Sequence, residues 1–261
     1  MIRFDLDYKI IDMHTHMGQQ YPLYYPEHDA DSMVRFMDEA GVELIISCPC
    51  EDLFTPGMKR RQIIDAMTKY PGRIKGYYGV SPLSQINLND IKAAFVSNKG
   101  FAGIKVLPDY HRTALTSAVY APVFEFADEY KLLVLSHTWD VSMNGESCNS
   151  ADKVVEILEK YKNLTFIMGH SIQGQADLAI EIAKSYHNSY LDTCDTCRLN
   201  GLIEKIVDRV GAQRLVFGTD FPMQGTYHQL GAVLGARITD KDRKMILRDN
   251  ALRIMTQPGR P

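Results

Sequence analysis

The feature that most constrains the fold is a short apolar run that recurs eight times along the chain. The runs are rich in β-branched residues, and amphipathic segments with helical periodicity lie between them. They occupy residues 10–14, 44–48, 74–80, 103–107, 132–137, 164–169, 189–192 and 215–220. Successive runs start about 30 residues apart, which is the length of one strand–helix unit. Eight such units in series predict an α/β protein with a parallel sheet.

The segments between the runs have recognisable helix ends. Residues 32–40, for example, place their apolar side chains on one face and stop before Gly41. The near-continuous apolar character of the runs favours a single parallel (β/α)8 TIM barrel that occupies residues 1–261 as one domain. The alternative is an open doubly wound sheet, which normally has a glycine-rich phosphate turn after its first strand. The chain has Met-Gly-Gln-Gln at residues 17–20 instead, so the barrel is the better prediction.

Histidine, lysine and aspartate side chains fall at the ends of several runs. In a parallel barrel the carboxyl ends of the strands share one rim, so residues far apart in sequence are expected to meet there. They are His14 and His16, Lys105, His137, His170 and Asp220. Residues i and i+2 of a strand face the same side, so the first two histidines can bind one ion. Three imidazoles and a carboxylate are a usual ligand set for Zn²⁺ and leave a position for water, which predicts an open, catalytic metal site.

Several segments together resemble the amidohydrolase superfamily. They are residues 11–16 (Ile-Asp-Met-His-Thr-His), 103–105 (Gly-Ile-Lys), His137, 167–171 (Ile-Met-Gly-His-Ser) and 217–222 (Phe-Gly-Thr-Asp-Phe-Pro). The most similar group is "amidohydrolase 2", which includes aminocarboxymuconate-semialdehyde decarboxylase. The resemblance implies metal ligation by His14, His16, His137 and Asp220, with His170 acting beside the metal on bound water or substrate. The chain departs from many members of the group at Leu107, where they carry a histidine.

The expected number of ions depends on Lys105. In two-metal amidohydrolases a carboxylated lysine of the fourth strand bridges the ions, whereas in the one-metal group such a lysine would be a cation beside the ligands or the substrate. One divalent ion, preferably zinc, is the favoured prediction, and manganese or a second ion are the alternatives. Asp12 has two predicted roles, which are to orient His14 or to form a buried hydrogen bond within the strand.

Three functions are compatible with such a site. The first prediction is hydrolysis of an amide, lactone or similar bond in a small polar molecule, with Asp220 as proton acceptor and His170 polarising the carbonyl or carrying the proton. The alternative is non-oxidative decarboxylation or hydration of a small unsaturated carboxylic acid, as in some members of the resembling group. Lys105, Arg112 or Arg198 would then bind a carboxylate. The further alternative is a non-catalytic barrel that binds a metal or ligand.

Aromatic residues near the predicted rim are candidates for the substrate-binding wall. Trp139 follows the fifth run, and Tyr24 lies in the long loop after the first. With Lys105, these two residues are the predicted substrate-binding set. Further candidate contacts on the same face are His28, His111 and His228.

Composition and charge argue against several classes of partner. A net charge of −3 gives no electrostatic basis for binding nucleic acid or an anionic membrane, and no apolar stretch approaches the ~20 residues of a membrane helix. Five cysteines do not make a disulfide framework, and acidic residues occupy the N-terminus where a signal peptide would be apolar. The sequence therefore predicts a cytoplasmic protein with a small-molecule substrate, and it leaves self-association into a homo-oligomer open.

Overall fold

Eight parallel strands form one sheet that curves into a barrel. The computed structural model describes residues 6–20, 23–55, 57–139, 147–256, 259 and 261. The strands are β1 Ile10–Met17, β2 Val42–Pro49, β3 Ile74–Val80, β4 Phe101–Val106, β5 Leu133–Trp139, β6 Thr165–Gln173, β7 Ser189–Asp192 and β8 Leu215–Val216. They pair in sequence order, each parallel to the next, with helices between them. This architecture confirms the predicted (β/α)8 barrel.

The barrel closes between β8 and β1 through irregular backbone. β8 is only two residues long and shorter than predicted, because the amide of Phe217 donates to a carbonyl of the C-terminal helical segment at 3.1 Å. Beyond that point, the amide of Met13 donates to the carbonyl of Phe217 at 2.8 Å. The amide of Asp220 donates to the carbonyl of His14, also at 2.8 Å. The seam between the last and first strands therefore contains two predicted metal ligands.

The helices pack around the outside of the strands. They are α1 Ala30–Ala40, α2 Cys50–Phe54, α3 Arg60–Lys69, α4 Leu88–Ser97, α5 Ala121–Glu129, α6 Ala151–Lys160, α7 Ala176–Ser185, α8 Leu202–Val210, α9 Thr226–Gly235, α10 Asp240–Lys244 and α11 Asn250–Met255, with a π-helical turn at Met245–Asp249. α1 shows why these segments end where they do. The Asp29 carboxylate accepts the amides of Asp31 and Ser32 at its start, and Gly41 ends it in the left-handed conformation at φ 74°. Among the described residues, no helix is both long enough and apolar enough to span a membrane.

Apolar side chains form two layers, one on each face of the sheet. Along β5, Val134 packs in the outer layer against the helices, whereas Leu133 and Leu135 belong to the layer that fills the barrel. Side chains of a strand alternate between its faces, so the inward direction continues to His137 near the carboxyl end. The same alternation brings polar residues of other strands to the mouth of the barrel.

β1 departs from this regular alternation. Met13 belongs to the inner layer, and the next residue, His14, also faces the interior, because the register of β1 against β2 shifts after Asp12. The Asp12 carboxylate accepts the hydroxyl of Thr219 at 2.5 Å and the backbone amide of His14 at 3.0 Å. Of its two predicted roles, Asp12 therefore has the buried hydrogen bond and does not contact the imidazole.

Candidate metal centre

Two imidazoles and one carboxylate converge at the mouth of the barrel. His14 and His16 come from β1, and Asp220 comes from the seam that closes the barrel. The Nε2 atoms of His14 and His16 lie 3.5 Å and 3.2 Å from Oδ1 of Asp220. This buried oxygen has no hydrogen-bond partner among the described residues. An unpaired carboxylate oxygen that faces two imidazole nitrogens fits a divalent cation, which would satisfy all three atoms.

A buried carboxylate contacts Nδ1 of His14, the first of these two imidazoles. Oδ2 of Asp192 lies 2.6 Å from Nδ1 of His14, and both side chains are almost completely buried. A carboxylate at this nitrogen favours a proton on Nδ1 and leaves Nε2 unprotonated, as a ligand atom must be. Asp192 therefore orients His14 toward Asp220.

The same pairing recurs at the other two histidines of the rim. Nδ1 of His137 lies 2.9 Å from Asp109, and Nδ1 of His170 lies 2.9 Å from Asp195. Asp109, Asp192 and Asp195 are not among the site residues predicted from the sequence. The one signal for them was their position, because Asp109 follows β4, Asp192 ends β7 and Asp195 comes three residues later.

Burial and neighbouring charges set the protonation of the cluster. Burial, together with the charge of Lys105, lowers the pKa of His14 well below its ordinary value. Burial also lowers the pKa of His16, and it lowers the pKa of His137 to about 4. Burial opposes ionisation of Asp220, but the attraction of the facing His16 imidazole, together with the charges of His170 and Lys105, outweighs it and lowers this pKa to about 2. At neutral pH the imidazoles are therefore neutral and the carboxylate is ionised, as metal ligands must be.

Lys105 lies beneath the cluster. Its side chain is completely buried, and its Nζ lies 2.6 Å from Nε2 of His14. Burial lowers the pKa of Lys105, although the charges of Asp220 and Asp192 oppose this effect. The amine therefore contacts a predicted metal ligand.

His137 and His170 lie beside each other next to this cluster. Their ring centroids are 4.5 Å apart, and the ring of His170 lies 5.2 Å from that of His14. In the described part of the chain, two sets of possible ligand atoms lie within 4.8 Å of one another: His14, His16 and Asp220, and His14, His170 and Cys194. His137 is in neither set, so its role as a further ligand stays a prediction.

Two glycines allow the neighbouring backbone to approach His14 closely. A Cβ atom at Gly218 would lie 2.8 Å from Cβ of His14, and one at Gly169 would lie 2.7 Å from the carbonyl oxygen of Ser136. Both separations are shorter than a non-bonded contact allows, so any larger residue would displace His14 or a strand. The cluster therefore depends on the absence of side chains at these two positions.

A cavity of about 230 Å³ opens above the cluster. It is lined by His16, Gln20, Cys50, Leu53, Phe54, Leu107, Tyr110, His137, Trp139, His170, Asp220, Met223 and Gln224. The imidazoles and Asp220 form one side, and most of the other side is apolar or aromatic. Trp139 lies in this wall, whereas Tyr24 is 81% exposed and Lys105 is buried, and neither lines the cavity. The substrate contacts predicted for Tyr24 and Lys105 stay predictions.

The further candidate contacts also lie outside this lining. None of His28, His111, His228, Arg112 and Arg198 lines the cavity. The ring nitrogens of His111 lie 2.9 Å from the hydroxyl of Tyr120 and 2.7 Å from the carbonyl of Leu53. These two contacts account for its burial by packing rather than by substrate binding.

The sequence matches one protein family over almost its whole length. A family model described as amidohydrolase matches residues 11–255, from the second residue of β1 to the last residue of α11. The chain belongs to this amidohydrolase family. The match confirms the resemblance seen in the sequence motifs. No curated protein matches this chain in sequence.

Solved structures with the same architecture include three decarboxylases. 2,6-Dihydroxybenzoate decarboxylase from Rhizobium is 15% identical with a TM-score of 0.73, and the similarity covers 95% of the present chain and 98% of that chain. Dihydroxybenzoic acid decarboxylase from Polaromonas, with manganese and the inhibitor 2-nitroresorcinol, is 18% identical with a TM-score of 0.72, covering 95% and 97%. 5-Carboxyvanillate decarboxylase from Novosphingobium aromaticivorans, with manganese and 4-hydroxy-3-methoxy-5-nitrobenzoic acid, is 14% identical with a TM-score of 0.77, covering 96% of each chain. These similarities show a shared fold.

Proposed function

We propose that this protein is a metal-dependent lyase that removes carbon dioxide from a small unsaturated carboxylic acid without oxidation. The observation that carries the proposal is the composition of the cavity, whose ionisable groups lie on one side and whose other walls are mostly apolar. The decarboxylase activity of the three structurally similar enzymes favours this reaction over the hydrolysis expected first.

The shape and walls of the cavity favour a small, flat substrate. A volume of about 230 Å³ is below the ~300–1,000 Å³ of sites for drug-sized ligands. Phe54, Tyr110 and Trp139 offer ring surfaces against which a planar unsaturated acid can pack. Apolar walls also suit decarboxylation, because a carboxylate loses its charge when it leaves as carbon dioxide.

The residues available for a cation suit one divalent ion. His14, His16 and Asp220 would hold it, with His137 as the predicted further ligand. Imidazole and carboxylate ligands accept both Zn²⁺ and Mn²⁺. When bound, such an ion would act as a Lewis acid on a substrate oxygen and lower the pKa of a bound water.

His170 is the residue best placed to handle the proton. Asp195 occupies its Nδ1, so Nε2 is the nitrogen that remains for the cavity. The bond between the substrate carbon and its carboxylate breaks and leaves its electron pair on that carbon, and a proton carried by His170 joins the carbon as carbon dioxide departs. Asp220 is ionised at neutral pH because its pKa is about 2, so it serves as counter-charge rather than as proton donor.

Hydrolysis is the second candidate, favoured by the family to which the chain belongs. In that reaction Asp220 would accept a proton from water and His170 would deliver one to the leaving group. The two reactions need the same side chains and differ in their products.

A substrate panel distinguishes the two reactions. The protein is depleted of metal, reloaded with Zn²⁺ or Mn²⁺, and given carboxyl-labelled hydroxybenzoates and other small unsaturated acids beside amides and lactones of similar size. We expect labelled carbon dioxide from at least one acid, and His170→Gln should lower kcat by at least about 100-fold, the lower end of a general acid–base contribution. His187→Gln is the control, because that side chain is exposed at the opposite end of the barrel.

Each contrary outcome has a definite meaning. Release of an amine or alcohol without carbon dioxide would refute the decarboxylase activity and show that the protein is a hydrolase. If the His170→Gln variant turned over substrate as fast as the unmodified protein, the proton-handling role of His170 would be refuted. Turnover that survives complete removal of metal would exclude the proposed metal dependence.

A further inference from the structure

Four side chains around the proposed proton-handling histidine form a closed set of contacts. They are Trp139, His170, Asp195 and Arg198, and we call them the His170 circuit. The rings of Trp139 and His170 have centroids 5.1 Å apart, and the guanidinium of Arg198 lies 5.7 Å from the centroid of the Trp139 ring. Nε of Arg198 donates to Oδ1 of Asp195, and Oδ2 of Asp195 lies 2.9 Å from Nδ1 of His170. Each member therefore contacts two others.

Asp195 is the buried centre of the circuit. Its side chain is 1% exposed, and Oδ2 also accepts the side-chain amide of Gln224 at 2.9 Å. Burial opposes ionisation, but the hydrogen bonds of His170, Gln224 and Arg198 outweigh it and lower the pKa of Asp195. Its backbone has φ 61°, a left-handed conformation that a residue with a side chain adopts only where its surroundings hold it.

Arg198 is the outer member of the circuit. Its side chain is 55% exposed, yet its guanidinium contacts both a buried carboxylate and an aromatic ring of the cavity wall. A planar guanidinium suits both contacts, because it can donate to a carboxylate and lie over an aromatic face. Arg198 therefore links the carboxylate behind His170 to the wall of the cavity.

We propose that Asp195 and Arg198 are positioning residues that hold His170 and Trp139 in place for the reaction, an inference that rests on the proposed decarboxylase function. Asp195 selects which ring nitrogen of His170 faces the cavity. Arg198 fixes Asp195 and the indole ring of Trp139 together, so a residue at the protein surface controls both proton transfer and the fit of the substrate.

The two positions should affect catalysis differently. Asp195→Asn leaves an amide group that cannot accept both from His170 and from Arg198, so kcat should fall by at least about 100-fold with a much smaller change in KM. Arg198→Gln loses the charge and the cation–π contact, so kcat should fall and KM should rise, each by about 10-fold. Arg198→Lys restores the charge without the planar guanidinium, so it should recover only part of kcat.

Arg209→Gln is the matched control for Arg198. Arg209 is 42% exposed and pairs with Glu181 and Asp177, but these contacts lie on the outer helices. We expect kcat and KM of this variant to match those of the unmodified protein. Adding Arg198→Gln to Asp195→Asn should lower kcat by less than about 2-fold more, since Arg198 acts on proton transfer through Asp195.

Two measurements test the circuit without any substrate. Trp139 is the only tryptophan of the chain, so its fluorescence reports this wall alone. Acrylamide should quench it more strongly in Arg198→Gln than in Arg209→Gln. In protein labelled with ¹⁵N-histidine, Asp195→Asn should remove the low-field proton signal of His170 Nδ1, which is assigned by its absence in His170→Gln.

These results separate the circuit from the proposed function. Unchanged quenching in Arg198→Gln together with an unchanged His170 signal in Asp195→Asn would overturn the circuit, whatever the reaction. Unchanged kcat in Asp195→Asn would overturn the positioning role even if both signals respond. A protein that shows both signals but releases no carbon dioxide retains the circuit and loses the decarboxylase function.

Discussion

Replacing Asp192 by asparagine should show how much the orientation of His14 contributes to metal binding, because the variant keeps all the predicted ligands. Oδ2 of Asp192 accepts from Nδ1 of His14 at 2.6 Å, and Oδ1 accepts the backbone amides of His170 and Cys194 at 2.8 Å and 3.2 Å. An asparagine has only one oxygen for these donors. Either its NH₂ group faces the His14 ring, or it faces the two backbone amides.

The expected changes in metal affinity and stability follow from the loss of one of these hydrogen bonds. Loss of a partner behind a metal-binding histidine typically costs about 10- to 100-fold in metal affinity, which is about 1.4 to 2.8 kcal/mol. The buried donor that loses its acceptor should lower the free energy of unfolding of the metal-free protein by about 1–3 kcal/mol. We expect both effects in Asp192→Asn.

Metal affinity is measured by competition with a chelator, and stability by urea unfolding of the metal-free protein. Asp12→Asn is the matched control, because Asp12 is equally buried and bonds the backbone of His14 without touching its ring. It should lose stability but less than about 10-fold in metal affinity. If Asp192→Asn bound zinc and manganese as tightly as the unmodified protein, the orienting role of Asp192 would be refuted.

Three further predictions concern acid stability, stoichiometry and packing. Burial lowers the pKa of His137 to about 4 from 6.5, so the unfolded chain binds the extra proton between these values. The metal-free protein should lose stability as pH falls from 6.5 to 4, and urea unfolding at several pH values should show His137→Gln reducing that loss by up to about 3 kcal/mol. Metal analysis should give one ion per chain with or without added bicarbonate, because Lys105 Nζ already contacts His14; two ions with bicarbonate would indicate carboxylation. Gly103→Ala should lower the free energy of unfolding by about 1–3 kcal/mol or more, because its Cβ would lie 2.5 Å from the Leu133 carbonyl oxygen. Gly231→Ala in α9 is the control. Its Cβ meets no atom within 4 Å, so this variant should raise the free energy of unfolding by up to about 1 kcal/mol.

The sequence predicts the barrel well because its strands are apolar and its helices have clear ends. Seven runs correspond to strands of at least four residues, and the family match confirms the resemblance. The eighth run is the exception. From Phe217 onward, its backbone groups bond β1 and the C-terminal helical segment, and hydrophobicity alone carries no information on such contacts.

The candidate site could be predicted only in part. Strand ends indicated His14, His16 and Asp220, because barrel geometry brings such positions together. The carboxylate partners of the imidazoles were missed, since each pair joins different strands or loops and depends on side-chain direction. The register shift in β1 likewise depends on pairing with β2, so it could not be derived from the alternation of one strand.

The seam between β8 and β1 also bears on when the proposed metal site is assembled during synthesis. His14 emerges early from the ribosome, whereas Thr219, which bonds Asp12 across a separation of 207 residues, emerges near the end. Because Asp220 follows directly and its amide bonds the His14 carbonyl, a nascent chain lacks the carboxylate of the candidate metal cluster until the barrel is sealed. We therefore expect the proposed metal site to be completed only together with the barrel, and a chain that stalls before the last strand to bind metal poorly.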